Sequence, residues 1–374
     1  MKLKLLTLAL LLTTFAQASH ILGGEISWTC LPGGQYKFTL VLYRDCTGIP
    51  LPSLTESINT NAGAIITCTR TQVIYLNKEC NLPTCLGANA GYMGAVEKNI
   101  YESGPITLNG TPPPAGWYFT WNSCCRPPNT SNIQNASSQG FTLLAMMYPF
   151  IPVGASTPQT ASICYDSSPA FEEEPNLVFC AGSNSNYFGI TSDLDGDSTF
   201  YRLTTPLSTG IVPPFTNVGW VSGYSTNSPL PNTSMNSNNV PANLDSLSGN
   251  MTFKSYTTGV FATSIKASSF RNGQLMAEVY RDAPIFVKNC APPSGLCTPT
   301  VQNYPTVSFG YWPNTQDSLM NMSNSSLTGY EAYKRVAKAQ IGDTVKFTLH
   351  SQDADLMPNC TPESIIIRAW GNGL

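Results

Sequence analysis

The stretch "GWYFTWNS", Gly116–Ser123, places a large ring at every second residue. In an extended chain Trp117, Phe119 and Trp121 share one face, and Tyr118, Thr120 and Asn122 take the other. A helix would scatter these rings around its axis, so the two-residue period marks a strand with one apolar side. The same signal recurs along the chain. "YKFTLVLY" (36–43) is rich in aromatic and β-branched residues, between Gly33-Gly34 and a polar "RDC" turn. "VFATSIKAS" (260–268), "LMAEVYRDAPIFVKNC" (275–290) and "DTVKFTLHS" (343–351) read as further strands. "FTLLAMMY" (141–148) fits a buried strand or a short helix, which periodicity alone does not separate. Clusters such as "TPPPAG", "RPPNTSN" and "SPLPNTSMNSNNVPAN" divide these segments. The one helical stretch is "GYEAYKRVAKAQ" (329–340). The expected fold is all-β, built of tandem disulfide-braced β-sandwich domains of Ig-like or cadherin-like kind.

The first residues carry an address. Lys2 and Lys4 precede an apolar run from Leu5 to Leu12, and Ala16-Gln17-Ala18 fits the small-x-small cleavage rule. Residues 1–18 read as a signal peptide, which makes the product secreted, extracellular or displayed at the cell surface. No later run of about 20 apolar residues is present in the sequence to span a bilayer. Charged residues are only 11% of the chain and the net charge is −3, with Asn, Ser and Thr filling polar positions. Such a surface has no basic stripe to displace counterions from phosphates, so nucleic acid is excluded as a partner. The 42% of apolar residues are enough to build a core.

Twelve cysteines in an exported chain read as disulfides. Eight fall between Cys30 and Cys164, then Cys180 and Cys290 flank a long cysteine-free stretch, and Cys297 and Cys360 follow. Each group is even, so each is able to close on itself. Eight cysteines allow 105 pairings, so the first group's connectivity is open. Cys80 and Cys85 have ligand-like spacing, but no histidine is near and an oxidising compartment favours bridges over zinc. Boundaries are expected near residues 165 and 295. They divide a cysteine-rich β domain (19–165), a sandwich with a DxDGD turn (166–295), and a further sandwich from 296 that is expected to continue past residue 374. A faint repeat supports the division. "NYFGITSDLDGDSTFYRL" (186–203) runs strand, Asp-x-Asp, strand, and "VKFTLHSQDADLMPNCTPESIIIRA" (345–369) has the same order with an insertion.

Catalytic readings fail on inventory. "ILGG" at Ile21–Gly24 resembles the start of an activated trypsin-like protease, but the chain has only His20 and His350. Neither stands where a triad needs its base, and signal cleavage would leave Ser19 and His20 ahead of the isoleucine amine. Gly23-Gly24 then reads as a flexible entry to the first strand. Glycosidase chemistry needs two carboxylates facing one cleft. The densest acidic run, Glu172-Glu173-Glu174 before Pro175, reads as a solvated linker. The expectation is a protein that is not an enzyme.

Two binding motifs remain. In "DLDGDS", Asp193, Asp195 and Asp197 alternate around Gly196, and hard oxygen ligands at that spacing suit Ca²⁺. The competing reading is a metal-free Asp-Gly turn. The crowding of three like charges favours a cation. Trp28, Tyr36, Trp117, Tyr118 and Trp121 would serve as a sugar-stacking platform, although large rings on alternate strand positions more often form core.

"SHILGGEISWTC…YKFTLVLYRDC", "WYFTWNSCCRPPNTSNI", "FGITSDLDGDSTFYRLTTPL" and "YRDAPIFVKNC" occur in the order of cysteine-anchored blocks. Together they resemble the N-terminal region of large Bacteroidota surface proteins, the gliding motility-associated or adhesin-like proteins exported by type IX secretion. "NLDSLSGNMTF" before "GVFATSIKA" is similar to a cadherin-like β-sandwich. The resemblance implies a non-catalytic adhesin or structural stalk segment that meets a glycan or protein ligand. It also implies calcium at Asp193, Asp195 and Asp197. The alternative is a carbohydrate-binding module of a secreted glycan-degrading system.

Overall fold

The computed structural model describes residues 21–46, 48, 51, 53–76, 95–171 and 177–289, with three short strands beyond them. Among these residues there is no α-helix, only a 3₁₀ turn at Ala136–Ser138. The signal peptide, Glu172–Glu174, the stretch 329–340 and nearly all of the second strand–DxD–strand copy lie outside the described residues. The chain divides into two compact units, the first ending at Asn289 and the second running Cys290–Trp370.

Seven strands open the first unit: β1 (Ile21–Cys30), β2 (Tyr36–Asp45), β3 (Thr55–Thr60), β4 (Ile66–Tyr75), β5 (Val96–Ser103), β6 (Trp117–Cys124) and β7 (Gly140–Met147). They pair antiparallel in the order β1-β2-β5-β4-β3-β6-β7. "FTLLAMMY" is therefore a strand. The "RDC" turn begins later than its polarity suggests, because Arg44 and Asp45 extend β2. The Arg44 guanidinium is buried in a paired contact with Glu97, 2.8–3.1 Å from its carboxylate oxygens.

Next come β8 (Ala170–Phe171), β9 (Val178–Cys180), β10 (Asn184–Phe188), β11 (Thr191–Ser192), β12 (Ser198–Thr204), β13 (Val240–Leu244), β14 (Asn250–Lys254), β15 (Gly259–Arg271) and β16 (Gln274–Lys288). β15 and β16 form a long hairpin around Asn272-Gly273, both at positive φ, the primed turn that an Asn-Gly pair favours. One edge of β16 carries β15. The other meets β7 at Ala277–Val279, β1 at Asp282, and β9, in parallel, at Phe286–Lys288. β16 thus joins both ends of the seven-strand run.

That seam explains Gly23 and Gly24. A Cβ on Gly23 would collide with the carbonyl oxygen of Asp282, and one on Gly24 with that of Val41. The pair is no flexible entry. It sits buried inside β1, where neighbouring backbones approach too closely for any side chain.

Strand alternation feeds two cores. On β2, Tyr36, Phe38, Leu40 and Leu42 enter a core with Trp28, Phe119, Phe141 and Trp121, while Val41 and Tyr43 enter a second. The second holds Phe179, Tyr187, Tyr201, Met251, Phe253, Phe261 and Ile285. It lies between the β15–β16 hairpin with β12 and a three-stranded sheet, β10-β14-β13. β16 serves both, with Met276, Ala277 and Val279 in the first core and Ala283, Ile285, Phe286 and Val287 in the second. A boundary near residue 165 was expected from cysteine grouping. The chain crosses that position without a break in the sheet, because the strand after it that completes the first core lies more than 100 residues further on. The modules are fused.

Disulfide bracing is present. Cys30–Cys164 joins the end of β1 to the approach to β8, with Cα atoms 5.5 Å apart, and Cys124 is bonded to Cys125. The first bridge spans 134 residues, worth about 4–5 kcal/mol in the chain-entropy account. Cys46 and Cys180 are also disulfide-bonded, while Cys290, Cys297 and Cys360 lie outside the described residues. Cys68 departs from the expectation that every cysteine is bridged. It is a free thiol within the first core, and burial pushes its pKa up to about 12, so it behaves as a small apolar residue.

In the second unit, β17 (Thr306–Phe309), β18 (Ser326–Leu327) and β19 (Leu349–Gln352) pair in the order β18-β17-β19, and β19 carries His350.

Candidate functional site

The loop between β11 and β12 folds on its own first aspartate. Asp193 Oδ1 accepts the backbone N–H groups of Asp195 (3.0 Å) and Asp197 (3.1 Å), and Gly196 at φ +74° permits the turn. Asp195 Oδ2 accepts the N–H of Ser167 at 2.5 Å. The neighbouring segment is itself stitched to β1. Trp28 Nε1 donates to the Asp166 carbonyl (3.0 Å), Trp28 N to Ser168 Oγ (2.9 Å) and Cys30 N to Ser167 Oγ (3.1 Å).

Arg271, the last residue of β15, stands among these acids. Its Nε and Nη2 donate to the two oxygens of Asp197 at 2.8 and 2.9 Å, a bidentate pair. Nη2 also reaches Asp166 Oδ1 at 2.9 Å and Asp195 Oδ2 at 3.4 Å, and Nη1 donates to the Tyr165 carbonyl at 2.7 Å. One guanidinium therefore serves three carboxylates. Asp166 Oδ2 and Asp193 Oδ2 are buried with no hydrogen-bond partner among the described residues. The electrostatics follow from that imbalance. Burial lifts the Asp193 pKa to about 6, helped by the charges of Asp197 and Asp195 and opposed by the backbone hydrogen bonds. Burial also raises Asp166 well above the carboxylate range. Arg271 opposes that shift and the three loop aspartates add to it.

Four of the six carboxylate oxygens that calcium was expected to meet at Asp193, Asp195 and Asp197 already have protein partners. Both oxygens of Asp197 are occupied by Arg271, Asp195 is shared between Ser167 and Arg271, and one oxygen of Asp193 is held by its own loop. Among the described residues no three His, Cys, Asp or Glu side chains gather so as to hold a metal ion. The positive charge that three crowded aspartates demand is supplied by an arginine from a hairpin 74 positions away. The Asn-Gly turn signal marks that hairpin, but no local pattern links Arg271 to the acidic loop. Asp166 was missed for the same reason.

The aromatic platform is also redistributed. Trp28 and Tyr36 are fully buried, and Trp117 and Trp121 are close to it, with Trp121 Nε1 donating to Glu56 Oε2 at 2.9 Å. These four rings are core. Only Tyr118 keeps part of its ring at the surface, edge-on to Phe215 with centroids 6.1 Å apart.

A second buried charge assembly lies at the β1–β16 seam. Arg281 pairs bidentately with Glu25, Nη2 to Oε1 at 2.8 Å and Nε to Oε2 at 3.1 Å, with Tyr43 Oη donating to Oε1 at 3.2 Å. Beside it, Arg126 Nη2 reaches Asp282 Oδ2 at 2.6 Å. These groups bind the modules to each other and offer no open carboxylate pair for hydrolysis. No family model, curated protein or solved structure matches this chain.

Proposed function

We propose that this chain is a non-catalytic segment of an exported bacterial surface protein, adhesive or structural in role, of the Bacteroidota type its sequence blocks resemble. The observation that carries the reading is strand β16, which contributes side chains to two hydrophobic cores while the Cys30–Cys164 bridge locks the opening strand. A load on either core passes into the same strand. Most carboxylate oxygens of the candidate site and of the seam are paired with arginines and backbone amides, Asp166 Oδ2, Asp193 Oδ2 and Asp282 Oδ1 excepted, which suits a scaffold. The test is retention under flow. Cells displaying the full chain should hold to glycan-coated or protein-coated slides better than cells displaying none. Equal detachment from every coating would remove the adhesive role.

A further inference from the structure

The side of the sheet opposite Trp117 and Trp121 carries a second set of aligned side chains. Tyr118 pairs across with Met146, Met146 with Glu278, Glu278 with Ser268, and Ser268 with Phe200. In the adjacent row Tyr280 pairs with Lys266, and Lys266 with Arg202. Residues directly opposite in a ladder share a face. The intervening row, Phe119–Ala145–Val279–Ala267–Tyr201, is core throughout, so the first two rows lie on the outer side. The first row crosses β6, β7, β16, β15 and β12, a width of about 19 Å at the usual strand spacing, and the second crosses β16, β15 and β12.

The chemistry of this face is specific. Glu278, only 8% exposed, forms its floor. Oε1 accepts from Lys266 Nζ (2.6 Å) and Ser268 Oγ (3.3 Å), and Oε2 from Tyr148 Oη (2.9 Å) and Tyr280 Oη (3.4 Å). The carboxylate thereby fixes two tyrosines and a lysine in place before any ligand arrives, which lowers the ordering cost of binding. Phe200, Tyr280 and Tyr118 remain half-exposed. Arg202 is exposed, with its guanidinium 5.2 Å from the Phe200 ring centre, and has no carboxylate partner among the described residues. Lys266 neutralises Glu278, so the face keeps one positive charge at the end where Arg202 stands.

We propose that this face binds a uronic-acid-bearing oligosaccharide laid across the strands, a site that rests on the adhesive reading of the chain. The half-exposed rings meet the apolar C–H faces of sugar rings, and the oriented tyrosine and serine hydroxyls meet their hydroxyls. Arg202 takes a uronate carboxylate through its planar fork. A single unpaired cation is too little for a polyphosphate backbone. The floor of a charged carboxylate and hydroxyls is also too polar for the apolar centre of a protein interface.

The test is calorimetric titration of the full chain with oligogalacturonate and with its methyl-esterified form, repeated with Arg202→Ala, Arg202→Lys and Phe200→Ala. Circular dichroism confirms that each variant is folded. Losing a charge-assisted contact should weaken oligogalacturonate binding about tenfold in Arg202→Ala. Arg202→Lys should recover part of it, and methyl-ester binding should stay at the weaker level in every chain. Oligogalacturonate affinity that is absent in the wild type, or unchanged across folded variants, overturns the site. The flow assay separates the two claims. Variant-insensitive retention on a protein coating would keep the adhesive reading and discard this site, whereas no retention on any coating would discard the adhesive reading.

Discussion

Two arginines of the first unit, Arg281 and Arg271, are loaded differently. Among the described residues, the carboxylate that Arg281 meets is Glu25, with side-chain exposures of 1% and 6%. Arg271 meets three, Asp166, Asp195 and Asp197, at a site where its own side chain is 21% exposed. The seam pair is matched in charge and sealed by both cores. The loop cluster carries excess negative charge and keeps contact with water. A matched pair is stable only while both partners remain. An overloaded arginine instead stores a tension that protons relieve.

The largest effect is expected at the seam. Arg281→Ala leaves Glu25 buried without its counter-charge and should cost about 3–5 kcal/mol in denaturant unfolding. Replacing both, as Glu25→Leu with Arg281→Met, should return most of that loss, because the penalty belongs to the widowed charge. A double variant as unstable as the single would show that the pair contributes more than charge balance. Arg271→Ala should cost less, about 1–3 kcal/mol, since solvent screens part of the repulsion it leaves.

The loop cluster should also respond to acid. The Asp193 pKa, about 6 in the fold, exceeds the unfolded value of about 3.9, and that of Asp166 is raised as well. The folded state therefore holds more protons between those values, so stability should rise as pH falls from 7 towards 4. The Asp193→Asn variant should flatten that slope, as read from melting midpoints across the range. Below this window Glu97 acts with the opposite sign. Burial raises its pKa, but Arg44 and Asn99 outweigh burial and hold it low, so its contribution is lost as it protonates. The smallest effect concerns calcium. With Arg271 in place, neither millimolar calcium nor chelator should move the midpoint, and a clear upward shift with calcium would restore a metal to the loop.

Aromatic and apolar patterning located β2, β6, β15 and β16, because a half-buried strand must alternate, while β3, β4, β5 and the shorter strands carry too little apolar pattern to stand out. It did not reveal which strands share a core, since β16 completes the first core from more than 200 residues beyond β1 in the chain. Cysteine grouping suggested a boundary near 165 because disulfides cluster locally, whereas ladder pairing obeys no such proximity. The tight turn of the acidic loop was legible from Gly196. Its counter-charge was not, because a long-range ion pair leaves no periodicity. Trp117 and Trp121 were read correctly as core-forming rings, and the alternation that buries them turns Tyr118 outward.

The closing of the seven-strand run by β16 also bears on self-association. A sheet whose terminal strands are both engaged offers few templates for a second copy to extend. The exposed end of this one is β12, and there Tyr201 N already donates to the Ser246 carbonyl, interrupting the ladder at its midpoint. At that end of the large sheet, a second copy would therefore find a ladder already interrupted and little edge to extend.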